Sequence, residues 1–125
     1  MRNDSFPYCI SDKRELTTEE HLLLKRLAND SIEIAKHINQ LKVVARCGCG
    51  KCPTILFGES LEDKPINSID SEPAGDWMGR AENGTLVGIG LFIFNGRPTE
   101  LEAWSPEGVD IDSWPPASAI ERCFS

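Results

Sequence analysis

Cys47, Cys49 and Cys52 form the tightest group of metal-ligating side chains in the chain. Thiolates at this spacing can grip one Zn²⁺ ion, and Gly48 and Gly50 permit the sharp loop that a zinc knuckle needs. A structural zinc site takes four ligands. The fourth would have to come from Cys9, Cys123, His21 or His37, and none stands at a diagnostic spacing. The simpler reading makes Cys47 and Cys49 small, half-buried residues at a strand end, since cysteine is among the most buried residue types. On that reading no metal and no cofactor are expected, and a zinc-stabilised adaptor is the alternative. Five cysteines make an odd number for a disulfide framework. A redox Cys-x-x-Cys wants a helix starting at its first thiol, whereas Pro53 and a strand follow Cys52.

Acid–base or nucleophilic chemistry has little to draw on. His21 falls in the first turn of an expected helix and His37 on its polar flank. There is no Gly-x-Ser-x-Gly, no phosphate loop and no His-Glu-x-x-His. Carboxylates abound, but a catalytic acid must be buried with a shifted pKa, so an enzyme is not expected. The more useful carboxylates lie beside aromatics. In the strand Thr99 to Ser105, alternation sends Leu101 and Ala103 one way, and Glu100, Glu102 and Trp104 the other. Glu107, Asp110, Asp112 and Trp114 follow in a proline-rich tail that is expected to leave Trp114 exposed. Asp70, Glu72 and Asp76 precede the sheet centre. These ten residues are the candidate partner-binding set.

The elements that would position them are organised around Asn83 to Gly96, an apolar run flanked by two Asn-Gly pairs. Asn-Gly suits a type I′ turn, so this strand is expected to have an antiparallel neighbour on each side. Val87, Ile89, Leu91 and Ile93 would face one way, and Gly88, Gly90, Phe92 and Phe94 the other. Upstream, residues 1–15 read as an irregular arm in which Phe6, Tyr8 and Ile10 can pack on the body. Thr17 and Glu20 form a capping box that opens a helical segment over residues 17–41. Its apolar stripe keeps phase through Asn29-Asp30-Ser31, so one long helix and a helical pair both fit. Val43–Cys47 and Pro53–Phe57 read as strands joined by a tight reversal. Residues 59–76 carry six acids against one Lys and read as a long loop. Residues 106–125 read as an extended tail ending in a helical turn or two over Ala117 to Phe124.

At 125 residues the chain suffices for one domain, with the sheet spanning residues 43–105. No apolar run approaches the roughly 20 residues that span a bilayer. The first nine residues lack the apolar core of a signal peptide, which makes the cytoplasm the expected compartment. The net charge is −7 and uneven: residues 1–51 hold nine bases and seven acids, while residues 52–125 hold four bases and thirteen acids. A phosphate backbone would be repelled by that second half, so direct nucleic-acid binding is not expected. A basic protein would be attracted to it.

The run Ala45-Arg46-Cys47-Gly48-Cys49-Gly50-Lys51-Cys52-Pro53-Thr54-Ile55, with Gly96-Arg97-Pro98-Thr99-Glu100-Leu101-Glu102-Ala103-Trp104-Ser105 and Trp114-Pro115, resembles a diffuse set of small bacterial proteins. Some of these look like immunity proteins of contact-dependent growth inhibition and other polymorphic toxin systems. The resemblance spans roughly residues 20–116. It implies a cytoplasmic inhibitor of a cognate toxin's C-terminal domain, often a nuclease, and assigns no residue a role. The combined expectation is an α+β domain, with a helix or helix pair on a mostly antiparallel sheet of four to six strands. It would bind a basic toxin domain, and neither nucleic acid nor membrane.

Overall fold

The computed structural model describes residues 9–66 and 70–123. Phe6 and Tyr8 of the expected arm, and Phe124 of the expected last turn, lie outside the described residues. Thr17 opens α1 (Thr18–Leu27) with the anticipated capping box: its hydroxyl accepts from the Glu20 amide at 3.1 Å, and Glu20 Oε1 accepts from the Thr17 amide at 2.9 Å. The helical segment then breaks. Ser31 Oγ takes the Ile34 amide at 3.2 Å and caps a second, short helix, α2 (Ile32–Ala35). A serine cap satisfies an amide that a continuous helix would have bonded to a carbonyl. The segment is therefore a pair followed by a 3₁₀ turn, Ile38–Gln40.

Seven strands are present among the described residues: β1 (Cys9–Glu15), β2 (Lys42–Cys47), β3 (Ile55–Gly58), β4 (Glu72–Arg80), β5 (Leu86–Phe94), β6 (Arg97–Trp104) and β7 (Ile120–Arg122). They form one sheet in the order β1-β2-β3-β6-β5-β4-β7, every neighbouring pair antiparallel. The α+β class stands, with one strand more than the upper expectation. Both edges were missed in the sequence. The second half of the arm is β1, paired with β2, and part of the expected terminal helical turn is β7, paired with β4. The expected loop 59–76 is shorter than anticipated, because β4 begins at Glu72.

The run β5 does have an antiparallel partner on each side. Its two Asn-Gly turns differ, however. Asn95 (φ 53°) and Gly96 (φ 83°) both occupy the left-handed region, as a type I′ turn requires. At the other end only Gly84 (φ 90°) does so. The Ala81 amide donates to Thr85 O at 2.9 Å, and the Gly84 amide to Ala81 O at 2.9 Å. That is a three-residue loop in which a left-handed glycine follows an ordinary turn.

One sheet face carries Val43, Ile55, Phe57, Trp77, Val87, Ile89, Leu91, Leu101 and Ala103, and packs on Leu23, Leu24, Leu27, Ile34 and Ile38 of the helical segment. The tail closes this side. Ile111, Trp114 and Ile120 are buried in the same core, and Arg26 of α1 donates to Ile120 O at 3.1 Å. The expected exposure of Trp114 is thus corrected: it is 4% exposed. Proline keeps this segment extended, as the sequence indicates, but the extended chain lies along the core. Among the described residues no helix is long and apolar enough to cross a membrane.

Candidate functional site

The sheet's second face, turned away from the helices, holds the candidate site. Along β6, Leu101 and Ala103 enter the core while Glu100, Glu102 and Trp104 take the opposite face. Register then decides their neighbours, because residues directly opposite in an antiparallel pair share a face. Glu102 stands opposite Gly90, which stands opposite Asp76. A methyl placed on Gly90 would meet Glu102 Oε1 at 3.3 Å and Asp76 Oδ1 at 3.5 Å, so the two carboxylates converge over a glycine. One row away, Glu100 lies between Phe92 and Leu56. In the other direction Trp104 lies over Gly88, where a Cβ would collide with the indole. Glycine here supplies close approach; the indole is 39% exposed above it.

Charge on this face is not balanced from within. Among the described residues no ion pair involves Glu100, Glu102 or Asp76. Glu100 is 8% exposed, and its Oε1 is buried without a hydrogen-bond partner among the described residues. Burial, with Glu102 beside it, pushes the Glu100 carboxyl up to about 7. Burial and Asp76 raise Glu102 as well. The contrast with Glu20 is instructive. Burial alone would raise Glu20, but Arg14 donates to both its oxygens at 2.9 Å, and the Thr17 amide adds a third bond. Its carboxyl is held below its ordinary value.

The thiols border the same face. Cys47 ends β2, and with Cys52, Thr54 and Leu56 it shares a recess of about 310 Å³ with Glu100 and Glu102. Burial pushes the Cys47 thiol up to about 12. Cys49 is exposed and shifted down, chiefly because the Lys51 amide donates to its Sγ, at 3.2 Å. Cys9 stands opposite Cys47 on β1, its thiol raised by burial and then by Glu100.

Of the ten residues singled out in the sequence, the structure brings Asp76, Glu100, Glu102 and Trp104 together. Glu72 stands opposite Ile93, which packs against the helical core, and so belongs to the other side. Asp70 is exposed just before β4, and Glu107 and Asp110 are exposed on the connection after β6. Asp112 borders a recess with Arg14, Arg46 and Trp114 at the helix side of the thiol loop. Sequence reasoning missed Phe92 and the two glycines as parts of the site. The signal was present in β5, where Gly88 and Gly90 alternate with Phe92 on one face. Comparisons with models of protein families, with curated proteins and with solved structures found no match.

Proposed function

We propose that this protein binds a basic partner protein on the second sheet face, and that it is an immunity protein neutralising a cognate toxin domain, with a nuclease as the target class. One observation carries the docking part: three carboxylates share a face with a half-exposed indole, and among the described residues no cation pairs with them. A nuclease presents basic residues to its phosphodiester substrate, and an acidic inhibitor can cover that surface. Steered encounter follows from the net charge of −7, and the aromatic supplies the anchor around which ion pairs are desolvated. The toxin assignment itself rests on the resemblance of the Cys-Gly-Cys and Gly-Arg-Pro-Thr-Glu-Leu-Glu segments to a diffuse set of small bacterial proteins, some of which look like immunity proteins. Co-expression with candidate toxin domains, the product of the neighbouring gene first among them, tests it. Protection of the cells and co-purification of a stable complex are expected; an unprotected host and no complex would end the reading.

A further inference from the structure

We propose that Cys47, Cys49 and Cys52 bind one thiophilic d¹⁰ cation, Zn²⁺, through three thiolates, with a fourth coordination position open toward the recess of Glu100 and Glu102. The three Sγ atoms lie within 4.8 Å of one another, and Cys49 and Cys52 Sγ are 3.5 Å apart. Two thiolates on one tetrahedral zinc, each about 2.3 Å from the ion, stand about 3.8 Å apart. Closing the triad on an ion therefore needs side-chain shifts of about an ångström or less.

The loop is built for such a site before any ion arrives. Gly50 takes a left-handed backbone (φ 72°) although nothing stands within 4 Å of where its Cβ would be. The glycine thus serves the turn itself, which folds the Lys51 amide back onto Cys49 Sγ. An amide donated to sulfur favours and orients the thiolate, as supporting hydrogen bonds do around metal ligands. Both flanks are tied down by backbone bonds, Cys47 N to Thr54 O at 3.0 Å and Ile111 N to Lys51 O at 2.8 Å. Cys49 is exposed and gives the ion a way in.

Chemistry selects the ion. Three soft sulfur donors favour a thiophilic metal over Mg²⁺ or Ca²⁺. Each thiol transfers its proton to solvent as its Zn–S bond forms, with no change of oxidation state. Three protein ligands leave one position for water or an outside donor, the pattern of an open site. This site is independent of the toxin reading and stands or falls without it.

The test uses the full chain, reduced and stripped of metal by a chelator. Titration with Zn²⁺ should give one ion per chain. Co²⁺ should give thiolate charge-transfer absorption that Zn²⁺ abolishes. Cys49→Ser, at an exposed position and with folding checked by circular dichroism, should weaken Zn²⁺ binding about tenfold or more; Cys123→Ser should leave it unchanged. Substoichiometric uptake, cobalt bound without charge-transfer bands, or a Cys49→Ser variant that binds as tightly as the parent would overturn the proposal.

Discussion

Glu100 holds a buried carboxylate oxygen with no hydrogen-bond partner among the described residues, and that makes stability depend on pH in a definite sense. Its folded carboxyl titrates at about 7 against an ordinary value of 4.5, so between those values the folded state keeps a proton that the unfolded chain releases. For this group stability is greatest below the interval and falls as pH rises through it. Glu102 is displaced in the same direction. Glu20, held low by Arg14 and Thr17, acts in the opposite sense: its contribution is present above its ordinary value and is lost on acidification. Urea unfolding of Glu100→Gln should show a flatter decline in midpoint than the parent between about pH 5 and 7.5. An unchanged slope would mean that Glu100 is ionised without penalty. The two tryptophans should separate cleanly. Trp114→Ala empties a core site and should cost about 3–5 kcal/mol by chemical denaturation. Trp104→Ala, with its half-exposed indole, should cost under about 1 kcal/mol and weaken partner binding instead. The sequence distinguishes these residues poorly. Alternation gives Trp104 its face from strand periodicity alone, whereas the burial of Trp114 depends on where the tail travels, which no local rule contains.

Among the elements, those specified by side chain–backbone chemistry are the legible ones. The Thr17–Glu20 capping box, the antiparallel pair around the cysteine loop and the central run flanked by Asn-Gly all stand where local signals place them. Alternation in β6 likewise identifies the carboxylate face. The edges were hidden. β1 and β7 are recruited by neighbours whose backbone groups need partners, and their own sequences, Cys-Ile-Ser-Asp-Lys-Arg-Glu and Ile-Glu-Arg, lack alternation strong enough to announce a strand. The convergence of Asp76 with Glu102 was hidden too, because it depends on the register of β4 against β5. The turns offer a direct check. Gly96→Ala forces a Cβ into a left-handed position and against Glu33, so it should destabilise by about 1 kcal/mol or more. Gly88→Ala should do something different: the new methyl must displace the Trp104 ring, changing its fluorescence and lowering partner affinity. An unaltered emission spectrum would remove Gly88 as the seat of the indole.

At the scale of the molecule, helices and tail cover one side of the sheet, and the other side carries carboxylates that, among the described residues, no cation neutralises. The thiol loop lies at the border of that side, so a metal there would sit beside the carboxylates without replacing them. Charge reversal belongs at Glu102 and Asp76, since a lysine in the buried position of Glu100 would test folding before binding. The most direct measurement is the association rate of the full chain with the basic toxin domain proposed as its partner, at low and high salt, for the parent and for Glu102→Lys with Asp76→Lys. A basic partner on this face predicts fast association that falls steeply with salt in the parent, and slower association with a much weaker salt dependence in the double variant. Equal rates and equal salt dependence for the two would contradict a basic partner on this face.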